Sequence, residues 1–337
     1  MNSSLPFISI LVMSHNQEAF ISDAVHSILS QEYEGELEFI FCDDCSTDAT
    51  FEIIEEIVSQ YKGDRRIVTH KAAVNGRVAA NMNIAIQLAR GDWFMRVDGD
   101  DILHPDRVRL SAKAIMDNPT AVAVSGQFTY FETEHQPVTN PADSDIRYNV
   151  FSVNDFNNQY IPHGLEWWGG IMTMHRSLFD TFGPLPHECH VLDDTMFATR
   201  SLMLGDFVIM ENAVLIYYRR HGGNISSASA GEHSIRALIK QDKESRDYYR
   251  RGIPCHQPIL NEIEAYAATH PELQNLLSSF RFRFAELKRQ AYFWEKSWKE
   301  RIDDAHIVGP FWKKIPWALR VMCPFTYALA AKIKNKS

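Results

Sequence analysis

FIFCDDCSTD, residues 39–48, carries an apolar, β-rich run straight into a polar turn. Two incompatible chemistries share that turn. Cys42 and Cys45 have the Cys-x-x-Cys spacing of redox motifs and of half a zinc site, whereas Asp43 and Asp44 between them offer paired carboxylates. The chain has no second Cys-x-x-Cys and no His-x-x-x-His, so a structural zinc site would lack half its ligands. Cys42 closes a buried strand, where a free cysteine behaves as a small hydrophobe. The aspartates are the better candidates for function, and the stretch predicts a strand that delivers acid to its exit.

Upstream, Phe7 to Met13 is a second run of this kind, ending at Ser14, His15 and Asn16, polar residues suited to turning the chain and capping a helix. The helix predicted next sets Phe20, Ala24, Ile28 and Ile21, Val25, Leu29 four apart on one face. Downstream, Ser46 or Thr47 is positioned to cap a helix whose apolar positions are Ile53, Ile54, Ile57 and Val58. Arg66 to Thr69 then predicts a strand, Val78 to Leu88 a helix, and Trp93 to Val97 a fourth strand running into DGDD at 98–101. Alternating strands and helices imply parallel pairing through right-handed crossovers, with all strand ends facing one way. Ligands bind outside those carboxyl ends, so the two acidic turns face one crevice.

From Ser125 to about Ser234 the alternation loosens into longer loops, and after Gly231 the chain turns helical, charged and aromatic. The expected fold is α/β, with domains over 1–235 and a helical extension over 236–337. A chain of 337 residues with 45% hydrophobic content can bury one large core and a helical companion. A formal net charge of -9 argues against general nucleic-acid binding, which needs a basic field. Five scattered cysteines make no disulfide framework and suggest a reducing, cytoplasmic setting. The first residues, MNSSLPFISILVMSHNQ, lack a positive segment and a long enough apolar run for a leader or a membrane span. No Gly-x-Gly-x-x-Gly follows the first strand, which disfavours a dinucleotide-dependent dehydrogenase.

DGDD sets hard oxygen donors two apart across Gly99, a residue expected there to permit an unusual backbone angle and close approach of a ligand. Packed carboxylates raise one another's pKa unless a cation compensates, which points to Mg2+ or Mn2+. An Asp-rich turn also serves as plain structure, and Asp101 alternatively caps the helix beginning near Pro105.

In order and spacing, ISILVMSHNQEAFISDAVHSILSQ, FIFCDDCSTDAT, VNGRVAANMNIAIQLARGDW and VDGDDILHPDRV resemble family 2 glycosyltransferases of the GT-A fold, strongly over about the first 110 residues and loosely to about 230. The resemblance implies a single Rossmann-like mixed sheet flanked by helices. It implies that Asp43 and Asp44 lie at the nucleotide base, Asp44 accepting a hydrogen bond from uracil N3, and that Asp100 ligates the metal while Asp98 lies near the ribose and the cation. Arg77 falls at a basic nucleotide contact, and Met13 or Ser14 beside the base through main chain. LDDTMF at 192–197 resembles the family's later acidic motif, with Asp194 as general base of an inverting transfer. The alternative for Asp193 and Asp194 is a helix N-terminus favoured by the dipole.

RRHGGN at 219–224 resembles a further family segment, in which His221 would ligate metal or diphosphate and Arg219 or Arg220 neutralise phosphate; a merely exposed histidine is the alternative. HGLEWWGGIMTMHRS at 163–177 sits where related enzymes shape the acceptor site. Trp167 and Trp168 offer faces for sugar stacking and Glu166 a polar contact or substitute base, though paired tryptophans equally serve packing.

From His306 to Ser337 six basic residues and no acidic one alternate with aromatics such as Phe311, Trp312, Trp317 and Phe325, a pattern suited to a membrane interface. The alternative is a tail packed on the domain or on a second copy of the chain. The implied activity is metal-dependent transfer of a sugar from a UDP-sugar to a glycan or lipid-linked acceptor in surface polysaccharide synthesis, at the cytoplasmic face of the inner membrane. A degenerate, glycan-binding module and a sugar nucleotidyltransferase are the other classes. The second would need a Gly-rich basic loop after the first strand, and SHNQEAF has no such character.

Overall fold

The structure, a computed structural model, describes residues 5–153, 169–189, 193–222, 235–292 and 295. Strands β1 (Ile8–Ser14) and β2 (Leu37–Asp43) are buried along their whole length, as continuous apolar strands covered on both faces must be. They pair in parallel, Ile8 opposite Leu37 and Ser14 opposite Asp43. On the other side of β1, β4 (Trp93–Asp98) is also parallel, with Met13 opposite Asp98. β3 (Arg66–Lys71) lies outside β2. The order β3-β2-β1-β4 therefore sets FCDDCSTD and DGDD on either side of the end of β1.

The helices between these strands are α1 (Ile21–Leu29), α2 (Thr50–Ser59), α3 (Arg77–Leu88) and α4 (Arg107–Asp117). α1 buries Ile21, Ala24, Val25 and Ile28, the face its spacing predicts. Beyond β4 the sheet becomes mixed. β8 (Thr173–His175) runs antiparallel to β4 and to β6 (Ala121–Phe131). β9 (Asp206–Arg219) is parallel to β6 and antiparallel to β5 (Ile102–Leu103) and β7 (Tyr148–Phe151).

Four further helices are α5 (Ser177–Phe182), α6 (Asp193–Leu204), α7 (Ile235–Ala267) and α8 (Gln274–Ala291). Leu11, Phe94 and Met174 of the sheet, Phe197 and Leu202 of α6, and Ile259 and Phe280 of α7 and α8 form one apolar cluster. Arg200 of α6 ties the same elements together. Its buried guanidinium forks onto Glu262 of α7 at 2.7 and 2.9 Å and donates to the carbonyls of Phe182, Gly183 and Pro184. α6, which begins at the acidic pair, is thereby held against the sheet.

Three local expectations are corrected. α2 starts at Thr50, and Asp48 rather than Ser46 or Thr47 accepts its first N–H, at 3.0 Å. Gly99 does not adopt a left-handed backbone; the only described glycine that does is Gly183. What Gly99 supplies is space, because a Cβ there would lie 2.6 Å from Gln17 Oε1, 2.8 Å from Ile21 Cδ1 and 3.2 Å from Ser14 Cβ. Asp101 does not cap α4; it is buried and accepts the backbone N–H of Arg219 at the end of β9.

Candidate active site

The acidic turns leave the carboxyl ends of β2 and β4, on either side of the end of β1. Adjacent residues leaving a strand point to opposite sides, and Asp43 and Asp44 separate accordingly. Asp43 turns inward, fully buried, and accepts the Ser46 N–H at 2.8 Å together with the Ser46 and Ser14 hydroxyls. It holds the turn. Asp44 keeps Oδ1 on the N–H of Gly76 at 2.7 Å, so the turn after β2 and the start of α3 are locked together. Among non-glycine described residues, positive φ occurs at Asn16 (51°), Cys45 (61°) and Arg77 (64°). Asn16 and Cys45 lie in the loops after β1 and β2 and Arg77 is the first residue of α3, positions where sparsely populated backbone conformations are held by the surrounding bonds. Asn16, for instance, accepts the Thr47 N–H at 2.9 Å. Arg77 itself is exposed at the rim.

At the end of β4, Asp98 and Asp100 diverge. Asp98 receives Arg96 Nη2 at 3.0 Å. Asp100 meets His221 Nε2 at 2.9 Å, which brings the segment after β9 onto the DGDD turn. His221 is stacked on Phe20 at 4.4 Å between centroids. Burial, then the neighbouring Asp98 charge, raise the Asp100 carboxyl above its usual range against the opposing His221 bond. Asp101 is raised well above it, by burial and by both neighbouring aspartates. Arg219 packs over the rings of Phe20 and Phe131, with Nε on the Asp100 carbonyl at 3.0 Å and Nη2 on Asp23 at 2.7 Å. Arg219 is thus tied to the DGDD turn and to α1, while Arg220 lies over Tyr130.

Asp194 opens α6, its Oδ1 accepting the Thr195 N–H at 2.7 Å. The LDDTMF resemblance assigns it to the same reaction as DGDD without saying how the two meet; a short 3-10 turn, Gly169–Ile171, lies between them. A Cβ on Gly169 would lie 2.0 Å from Arg96 Nη1 and 3.5 Å from Asp194 Cβ, and one on Gly170 would lie 2.6 Å from Asp98 Oδ2. Two consecutive glycines are the residues that let β4, this turn and α6 meet. Beneath them Arg107 is fully buried, its Nη2 on the carbonyls of Arg96 at 2.7 Å and Gly170 at 3.0 Å. Burial pushes it down to about 9, against the pull of Asp101 and Asp98.

A divalent cation fits this chemistry. Asp100 and His221 present an oxygen and a nitrogen side by side, and carboxyls raised by burial and mutual repulsion are relieved by a cation. Asp98 is already engaged by Arg96, and among the described residues no group of three His, Cys, Asp or Glu is arranged to hold a metal. The protein alone therefore offers a partial shell. Trp167, Trp168 and Glu166, as well as the basic aromatic tail from His306 to Ser337, lie outside the described residues. Among the described residues no helix is long and apolar enough to cross a membrane.

Arg96 lies outside the quoted motifs, and Arg107, inside VDGDDILHPDRV, is given no role by them. The available signals are a cation inside the apolar strand WFMRV and an arginine on the inward stripe of α4 with Val108, Ser111 and Ala114.

A nine-stranded mixed sheet with acidic turns at its carboxyl edge is the GT-A architecture. Staphylococcus aureus TarS in complex with UDP shares it with a TM-score of 0.59 at 17% identity, over 98% of this chain and 88% of that one. The mannosyltransferase PcManGT from Pyrobaculum calidifontis, in complex with GDP-Man and Mn2+, gives 0.51 at 17% identity over 99% and 88%. An uncharacterized glycosyltransferase of Haemophilus influenzae is 26% identical over 278 residues, 80% of this chain and 82% of that protein. Two other bacterial relatives match over shorter stretches, 37% and 50% of their lengths. Residues 9–182, more than half of the chain, match the model of glycosyl transferase family 2. The chain belongs to that family and is a glycosyltransferase.

Proposed function

We propose that this glycosyltransferase takes a sugar from a nucleotide diphosphate donor, a UDP-sugar foremost, and moves it with inversion to a hydroxyl of a glycan or lipid-linked acceptor in surface polysaccharide synthesis. The observation that supports this reading is that the turns carrying Asp44 and DGDD flank the end of β1, with His221 on Asp100 and the Gly169–Gly170 turn between Asp98 and Asp194. The nucleotide complexes of TarS and PcManGT support a nucleotide-sugar donor, and the Mn2+ in the latter supports a divalent cation.

In this reading Asp44 accepts the base N–H, the main chain at Ser14 lies beside the base, and Arg77 meets the nucleotide from the rim. Asp43 serves by keeping this turn in shape. Asp98 lies toward the ribose, and Asp100 with His221 holds Mn2+ or Mg2+. The cation, when bound, supplies positive charge to the departing diphosphate. Asp194 takes the proton of the acceptor hydroxyl as its oxygen attacks the anomeric carbon, on the face opposite the breaking bond to phosphate. The configuration inverts. Trp167, Trp168 and Glu166 are assigned to the acceptor side, residues 1–235 to catalysis, and 236–337 to an extension that meets the cytoplasmic membrane surface or a second copy.

The test is to incubate the full chain with Mn2+ or Mg2+ and UDP-, GDP- and dTDP-sugars, following slow donor hydrolysis and thermal stabilisation. UDP with Mn2+ should raise the melting temperature, and both EDTA and Asp100→Ala should remove that rise. No metal-dependent response to any nucleotide overturns the proposal.

A further inference from the structure

Two arginines of this protein, Arg200 and Arg107, are the largest wholly buried side chains. Arg200 is accounted for, because its fork closes on Glu262 and on three carbonyls. Arg107 has no such partner. Among the described residues it makes no ion pair, and its Nε and Nη1 have no hydrogen-bond partner; of its three nitrogens Nη2 is engaged there, on the carbonyls of Arg96 and Gly170. Burying a guanidinium without a paired anion is costly, and an apolar side chain of similar volume would avoid the cost. Asp101 and Asp98 act on its charge without bonding to it, and its directional contacts are those two bonds.

They cross from β4 to the Gly169–Ile171 turn at the place where the donor-side acids and Asp194 approach each other. The turn has little freedom there. Gly169 is wedged between Arg96 Nη1 and Asp194 Cβ, and Gly170 rests on Asp98 Oδ2. Arg96 is in turn fixed at both ends, its N–H on the Met172 carbonyl at 3.1 Å and its Nη2 on Asp98 at 3.0 Å. We infer that Arg107 is a positioning residue that clamps Gly169–Gly170 onto the Arg96–Asp98 end of β4, and so sets the gap between the donor-side carboxylates and Asp194. The inference rests on Asp194 acting as the base. Arg107 lies beneath the crevice and touches neither Asp100 nor His221, so loosening it should misplace the reacting groups without removing a contact to the nucleotide.

Arg107→Met and Arg107→Lys in the full chain separate these effects, with UDP affinity in the presence of Mn2+ and the turnover number of UDP-sugar hydrolysis as readouts. Arg107→Met should keep the UDP dissociation constant within about threefold and lose about 30-fold or more in turnover. Arg107→Lys, which retains a donor for the two carbonyls, should recover much of that loss. Gly169→Ala loosens the same turn from the Asp194 side and should give the same split, which keeps the clamp testable if Arg107→Met fails to fold. Unimpaired turnover in Arg107→Met, or affinity and turnover falling together in both the Met and the Ala variants, overturns the clamp. A wild-type chain that neither binds nor hydrolyses any nucleotide sugar overturns the functional reading and the clamp with it; a working wild type with a working Arg107→Met overturns the clamp alone.

Discussion

Buried carboxylates stand at both ends of one sheet, and the protein treats them in opposite ways. At the amino end of β2, Glu38 is only 1% exposed and is surrounded by donors: the Ser9 hydroxyl, the N–H groups of Arg90 and Gly91, and the Arg66 guanidinium. Burial pushes its carboxyl up, but those bonds outweigh it and hold it below its ordinary value. At the carboxyl end, Asp100 and Asp101 are buried beside like charge and sit above theirs. The lower edge is electrostatically complete. At the upper edge the carboxyls of Asp100 and Asp101 stay raised although Arg96, Arg219 and His221 bond to this turn, a state that the proposed cation would relieve.

Substitutions at the two edges should therefore fail in different ways. The largest effect is expected at the upper edge, where Asp194→Asn removes a proton acceptor and little else. Transfer should fall about 10³-fold with UDP affinity unchanged in calorimetry. Loss of affinity with transfer preserved would exchange the roles of Asp194 and the DGDD acids.

At the lower edge Glu38→Gln should leave UDP affinity untouched and cost about 2 kcal/mol of stability in urea unfolding, since buried donors lose a charged acceptor. The pH dependence has a definite sign. A carboxyl whose pKa is lowered on folding contributes stability above its unfolded value, near 4.5, and that contribution disappears as pH falls through the lower folded value. Wild-type stability should thus drop more steeply than that of Glu38→Gln on acidification below about pH 5. Parallel curves would remove the contrast between the edges.

The smallest effect belongs to the cysteines. Burial and Asp43 push the Cys42 thiol up to about 12, leaving it a packing residue, and Cys42→Ser should change donor hydrolysis by less than about twofold, within the range of volume-conserving core changes. A thiol-dependent loss of activity would return the chemistry of FCDDCSTD to its sulfurs.

The first half of the fold is legible because its signals are local. Apolar runs of seven residues and helical stripes announce β1, β2, α1 and α2, and the acids follow at the strand ends. The later half is less so. β8 is three residues long and inserts antiparallel between β4 and β6, strands far from it in sequence. The need for Gly99 is not local either, since it comes from Gln17 and Ile21 packing against it and not from its own dihedral angles. Asp43 and Asp44 are both buried, and only the structure shows that the first closes its own turn on Ser46 while the second reaches across to the Gly76 N–H at the start of α3.

Order along the chain is thus enough to specify a parallel α/β core, the acidic turns at its carboxyl edge and the family that carries them, because each depends on neighbours a few residues apart. The tertiary structure alone decides that His221 reaches Asp100, that Gly169 brings Asp194 to Arg96, and that Arg107 lies buried beneath the junction. These contacts join residues as far as 121 positions apart. They arise from the crossing of β4, β9, α4 and α6 in space, a crossing that no local periodicity records.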